Sequence, residues 1–174
     1  MRSVRFLRAA LVGCVALVAV SCADPTNPVP QPSLFDGDLF GELKQLTGLV
    51  RCTPLAYDSV TQTIGPDGGI ILVGPHTFTV PAGALDTDVT ITAVTPSDTV
   101  NRIQFQPEGL VFNDYTTLRM SYANCSPLGS LLPKRIAYTS ADLTILDYLP
   151  SLDNVFTQTV RGKLWHFSEY AIAW

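Results

Sequence analysis

From Tyr57 onward the hydrophobic positions recur at every second residue, the period of a strand with one face buried. Val60, Gln62 and Ile64 lead into Gly65-Pro66-Asp67-Gly68-Gly69, a strong turn cluster. Ile70 to Val73 is a short apolar strand, Gly74-Pro75 turns the chain, and His76 to Val80 alternates through Phe78 and Val80. Pro81-Ala82-Gly83-Ala84 breaks the run before the clean alternation of Val89 to Val94. Asn101 to Gln106 places Ile103 and Phe105 on one face, and Pro107-Glu108-Gly109 turns into Leu110-Val111-Phe112. Thr117 to Ala123 points Leu118, Met120 and Tyr122 inward and Arg119 and Ser121 outward. Ile136 and Tyr138 mark a further strand, followed by Leu143 to Leu149, Val155 to Val160 and Leu164 to Trp174. About nine or ten short strands punctuated by Gly, Pro, Asn and Asp predict an all-β domain over residues 57–174, an antiparallel β-sandwich or barrel. The sandwich is the leading form. No βαβ rhythm and no internal repeat is visible, which excludes a doubly wound sheet.

Upstream the pattern differs. Leu39, Leu43, Leu46 and Leu49, with Phe35 and Phe40, recur at helical spacing and predict a short amphipathic helix over 34–50. Asp36 or Asp38 serves as its N-cap, and Gly48 lies near its end. Residues 22–33 contain Pro25, Pro28, Pro30 and Pro32 and read as an extended tether. Residues 1–21 combine Arg2, Arg5 and Arg8 with an apolar run from Leu11 to Val20, the arrangement of a secretory signal peptide. Ala19-Val20-Ser21-Cys22 looks like a bacterial lipobox with Cys22 as the lipid attachment point. Leu11-Val12-Gly13-Cys14 fits the four-letter pattern better, but cutting there leaves almost no apolar region, so Cys22 is preferred. The expectation is a membrane-anchored lipoprotein of the bacterial cell envelope, and Ala23 resembles an outer-membrane sorting signal. Several acyl chains on one cysteine suffice for stable anchoring.

The 174 residues are 47% hydrophobic and only 15% charged, which excludes a wholly disordered chain. The net charge of −4 gives no overall basic footprint for nucleic acid. Cleavage before Cys22 would remove three arginines and no acid, deepening that charge to −7. Cys52 and Cys125 then remain, and export favours their pairing as one disulfide. Their spacing is wrong for zinc. Asp36-Gly37-Asp38 and Asp86-Thr87-Asp88 are fragments of calcium loops that do not continue into the full spacing. With two histidines and no nucleotide, phosphate or nucleophile-elbow motif, the sequence implies no metal, cofactor or enzymatic activity.

Gly65-Pro66-Asp67-Gly68-Gly69-Ile70, then Gly74 to Leu85 with Pro81-Ala82-Gly83-Ala84, then Val89-Thr90-Ile91, resembles the opening of a ZU-five domain. That module is named for zonula occludens proteins and netrin receptors and occurs also in ankyrins. Leu164-Trp165-His166-Phe167-Ser168-Glu169-Tyr170-Ala171 is similar to the ends of such domains in bacterial surface proteins and lipoproteins. The resemblance covers residues 60–174 and implies a β-sandwich used for interaction or spacing, most simply with an envelope protein partner. It also implies an alternative. Some animal relatives break their own chain between Phe and Ser of a His-Phe-Ser motif, and here His166 would act as base while Ser168 attacks the Phe167 carbonyl. The structural alternative is a strand in which His166 and Ser168 share one face. A third reading is a small-ligand or glycan-binding sandwich, with Tyr115, Tyr138, Tyr148, Trp165 and Trp174 available.

Overall fold

A computed structural model describes residues 48–126 and 132–174. The expected signal peptide, Cys22, the expected tether and residues 34–47 of the expected helix lie outside the described residues; its last residues, 48–50, are not helical, and Leu49 instead bridges Ala173 antiparallel.

Eleven strands are described: β1 (Asp58–Ile64), β2 (Gly69–Val73), β3 (His76–Val80), β4 (Val89–Thr95), β5 (Arg102–Gln106), β6 (Val111–Ser121), β7 (Arg135–Thr139), β8 (Ile145–Tyr148), β9 (Ser151–Asn154), β10 (Thr159–His166) and β11 (Glu169–Ala173). They form two antiparallel sheets, ordered β1-β4-β5-β11-β7-β8 and β2-β3-β6-β10-β9. The described fold is all-β and sandwich-like, as the period-two pattern predicts.

Alternation decides which side chains lie between the sheets. Ile71 and Val73 of β2, Phe78 and Val80 of β3, and Leu118 and Met120 of β6 are buried from one side. Ile91 and Ala93 of β4, Ile103 and Phe105 of β5, and Tyr170 and Ile172 of β11 meet them from the other. An aromatic cluster fills the centre of the core. Phe105 stacks on Phe167 with ring centroids 4.6 Å apart and planes 6° from parallel, and Phe78 lies 4.7 Å from Phe105. Such contacts add to the transfer free energy of burial.

Two glycines are required by close approach. Gly68 has φ of 75°, and a Cβ there would lie 2.4 Å from the Val80 carbonyl oxygen. It closes the turn between β1 and β2, donating its N–H to the Gly65 carbonyl at 3.0 Å. Gly162 faces the core from β10, where a Cβ would meet Ile136 Cδ1 of the opposite sheet at 3.0 Å.

Three strand boundaries differ from the sequence expectation. The runs expected at Leu110–Phe112 and Thr117–Ala123 fall largely within one long strand, β6 (Val111–Ser121), continuous through a register irregularity opposite β10. Val155 to Val160 is not one strand: Val155 to Gln158 form the tip of the β9–β10 hairpin, where Phe156 N–H donates to Asn154 Oδ1 at 3.1 Å, and only Thr159 and Val160 belong to β10. Leu164 to Trp174 is not one strand either. The chain leaves the five-stranded sheet after His166 and joins the six-stranded sheet at Glu169. Phe167 and Ser168 make that crossing, and alternation cannot reveal it because both flanking segments keep their own period.

Residues 48–53 close one end of the sandwich. Val50 N–H donates to the Ile172 carbonyl at 2.9 Å and Cys52 N–H to the Thr99 carbonyl at 2.8 Å. Cys52 and Cys125 form a disulfide, S–S 2.05 Å, joining the segment before β1 to the segment after β6 as the sequence implied. Beside it, Asn101 and Asn124 exchange amide hydrogen bonds of 2.7 and 3.0 Å.

Candidate functional site

Two regions concentrate chemistry on this fold: the crossing at His166-Phe167-Ser168 and the outer face of the five-stranded sheet.

At the crossing, the Phe167 ring is fully buried and touches Phe78, Phe105 and Phe112. Its N–H donates to the Leu110 carbonyl at 2.8 Å. Its carbonyl accepts from Gly109 N–H at 3.0 Å, and His166 Nδ1 lies 3.3 Å from the same oxygen. A carbonyl oxygen only accepts, so this contact is a hydrogen bond in the tautomer that carries its proton on Nδ1. The Phe167 carbonyl then has two donors around it. The His166 ring packs edge-on against Tyr138, with centroids 5.4 Å apart, and the Tyr170 hydroxyl donates to the His166 carbonyl at 2.7 Å. Burial, and secondarily the charge of Tyr138, hold the Tyr170 hydroxyl above its ordinary pKa, so it remains a donor. Ser168 is buried, its carbonyl accepting from Phe105 N–H at 3.2 Å. No hydrogen bond joins His166 to Ser168 among the described residues. The two do not share a face of one strand, because the chain changes sheets between them.

The outer face of the five-stranded sheet is built by the pairing of β6 with β10. Inward positions Leu118, Val160 and Leu164 fix which residues point out. On β10 these are Arg161, Lys163 and Trp165, all exposed. On β6, Arg119 lies directly opposite Arg161, and Thr117 opposite Lys163. The irregularity between Leu164 and His166 brings Tyr115 against Trp165, with ring centroids 3.7 Å apart. Lys163 Nζ lies over the Tyr115 ring, 4.5 Å from its centroid. Exposed Ile70 and Leu72 flank this centre on the β2 edge, and exposed Leu152 flanks it on the β9 edge. No aspartate or glutamate occupies an outward position of β2, β3, β9 or β10, or of β6 between Tyr115 and Ser121.

A shallow groove of about 400 Å³ opens at the arginine end, lined by Arg119, Arg161, Leu152, Asp153, Asn154, Thr157 and Thr159. The Asp153 carboxylate is already engaged, accepting from the Tyr122 hydroxyl at 2.6 Å and from Lys134 N–H at 2.8 Å. The outer face of the other sheet is different. There Arg102 is neutralised by Glu169 at 2.5 Å and Asp98 at 3.1 Å.

The remaining polar groups are tied into the fold. His76 is buried, and Nδ1 accepts from Ser121 N–H at 3.1 Å. Burial lowers its pKa to about 4, so the ring is neutral at pH 7. Buried Lys134 donates to the Leu132 carbonyl and lies 5.6 Å from the Tyr122 ring and 5.7 Å from the Trp174 ring. Burial lowers its pKa, and Asp153 opposes that shift. Asp86 accepts from Asn113 Nδ2 at 2.9 Å. Among the described residues no three His, Cys, Asp or Glu side chains converge as a metal cluster.

Of the five aromatic candidates, Tyr115 and Trp165 come together on the outer face. Tyr138 and Trp174 pack against the core, and Tyr148 lies under Arg135 on the other sheet. Sequence reasoning missed Arg161 and Lys163. The signal was the alternation Arg161, Lys163, Trp165, concealed by placing a strand break between Val160 and Leu164. No protein-family model matches the chain, and no curated protein matches it.

Proposed function

We propose that this chain is a lipid-anchored protein of the bacterial cell envelope, held through Cys22, whose ZU-five-like β-sandwich serves as a displayed interaction module rather than an enzyme. One observation carries the reading. The five-stranded sheet presents Tyr115, Trp165, Arg119, Arg161 and Lys163 to solvent on a continuous face without an intervening carboxylate. Cations and aromatics are the side chains that dominate recognition surfaces. A tether of four prolines would lift that face away from a bilayer. The test has two parts. Cys22→Ser should release the protein from the membrane fraction and remove the lipid mass. Photo-crosslinking from positions 117 and 163 in intact cells should yield a product, while crosslinkers at 92 and 104 on the other sheet should yield none. Retention of Cys22→Ser in the membrane sinks the anchor; crosslinks from the second pair alone sink the assigned face.

A second reading is self-cleavage between Phe167 and Ser168. The observation favouring it is the pair of donors on the Phe167 carbonyl, Gly109 N–H and His166 Nδ1, which would stabilise an oxyanion formed there. Ser168 Oγ would attack that carbon, its proton passing to a base; the Phe167–Ser168 C–N bond would break as the Ser168 nitrogen takes up that proton and leaves as a free amine; and water would then hydrolyse the ester to a Phe167 carboxylate and the Ser168 hydroxyl. Intact mass decides it: a product ending at Phe167 that disappears in Ser168→Ala supports cleavage, and one full-length species removes it.

A further inference from the structure

We propose that the outer face of the five-stranded sheet binds a linear acidic polysaccharide, with Tyr115 and Trp165 stacking on a sugar ring and Arg119, Arg161 and Lys163 holding its carboxylates. The inference rests on the reading of the domain as a displayed interaction module and names the class of ligand.

The first argument is the opposition of Arg119 and Arg161. Like charges placed directly across two strands repel and weaken the pairing. No ion pair among the described residues relieves either of them. An incoming anion converts this repulsion into a two-armed clamp, since each guanidinium offers a planar fork that matches a carboxylate. The second argument is segregation. The chain is acidic overall, yet between Tyr115 and Ser121 of β6 and along β10 this face carries three cations and no outward carboxylate; Asp114, exposed at the far end of β6, accepts from Tyr115 N–H at 2.7 Å. Its charge therefore complements an anion and disfavours a cationic partner.

The third argument is shape. Trp165, Lys163 and Arg161 succeed one another at every second residue of β10, spanning about 13 Å at ~3.3 Å per residue. That order, aromatic then cation then cation, suits a chain of linked rings carrying charge at intervals. Thr77 and Thr117, half-buried beside the cations, offer hydroxyls that both donate and accept. The groove at the arginine end gives the chain an exit between Leu152 and Thr159. A membrane surface would instead engage Phe156 first, at the hairpin tip, where the side chain is 96% exposed.

The experiment is equilibrium binding of the purified protein to polygalacturonate, with neutral dextran, polyphosphate and phosphatidylglycerol vesicles as parallel probes. The proposal expects binding to polygalacturonate and none to dextran. Raising the salt to about 1 M, where screening acts within ~3 Å, should abolish it. Arg161→Ala and Trp165→Ala should each weaken it by about tenfold, the scale of one lost charge-assisted contact. Both positions are exposed, and an unchanged melting profile would certify the fold. Absence of binding to polygalacturonate overturns the proposal. So does equal binding to polyphosphate that ignores Trp165→Ala, which would mark a bare cation patch. So does a preference for vesicles that Phe156→Ser abolishes. An intact-cell crosslink through position 163 alongside failure to bind polygalacturonate would remove the polysaccharide and leave the interaction module standing.

Discussion

Arg119 and Arg161 stand directly opposite each other on β6 and β10, at the centre of a sheet face that carries no outward carboxylate beside them. Cross-strand opposition of like charges costs stability. Replacing Arg161 with threonine should therefore stabilise the isolated domain by about 0.5 kcal/mol at low ionic strength. The gain should shrink as salt screens the pair. Urea unfolding at two salt concentrations measures it. A stability loss that salt does not alter would mean that the two guanidiniums are not in conflict.

The disulfide spans 73 residues of sequence. In the chain-entropy account, closing such a loop restricts the unfolded chain by about 4 kcal/mol. Cys52→Ser with Cys125→Ser should lower unfolding free energy by roughly that amount. The double replacement avoids a lone thiol. A loss well under 1 kcal/mol would show that the backbone bonds of residues 48–53 hold that end alone.

Stability should also fall as the solution is acidified, through His76. Its folded pKa is lowered to about 4 from an ordinary value near 6.5. The unfolded chain therefore binds the proton first. Stability is complete above pH 6.5, declines as pH falls toward 4, and loses nothing further from this group below that. The decline approaches about 3 kcal/mol. The cause is burial, which disfavours the charged ring; Nδ1 of the neutral ring accepts from Ser121 N–H. His76→Gln keeps an acceptor and does not titrate, so it should flatten the decline. An equally steep decline in that variant would assign it to other groups.

Phe167 should behave as the keystone of the aromatic core. Its ring meets three other phenylalanines, and the backbone on either side is bonded to the β5–β6 turn. Phe167→Ala should cost about 3–5 kcal/mol, the range for emptying a fully buried aromatic site. Phe156→Ala, on the exposed hairpin tip, should change stability by no more than about 0.5 kcal/mol. Chemical denaturation of the two variants provides the comparison, and similar losses would contradict the assigned core.

The contrast between these two phenylalanines also shows what the sequence could reveal. Strand faces were legible from Val60 to Tyr122 because turns rich in Gly, Pro and Asp bracket each run there. Leu118, Met120 and Tyr122 are buried and Arg119 is exposed, as alternation predicts. Past Ile136 the punctuation weakens. Phe156 and Val155 are apolar yet occupy a hairpin tip, and the crossing at Phe167 has no glycine or proline to mark it. Pairing across sheets is non-local, so no window could show that Arg119 faces Arg161, or that β10 and β11 belong to different sheets. The cysteine pairing was legible because Cys52 and Cys125 are the two cysteines of the stretch from residue 48 to 174, which leaves one intramolecular partner for each thiol there.

The most direct test of the central claim is an amide chemical-shift titration of isotope-labelled protein with polygalacturonate. If the five-stranded sheet is the binding face, shifts should concentrate at Thr77, Thr117, Arg119, Arg161, Lys163 and Trp165, with Thr92, Gln104 and Ala171 on the other sheet unmoved. Shifts centred on the second group, or a spectrum that does not change at saturating ligand, would contradict it.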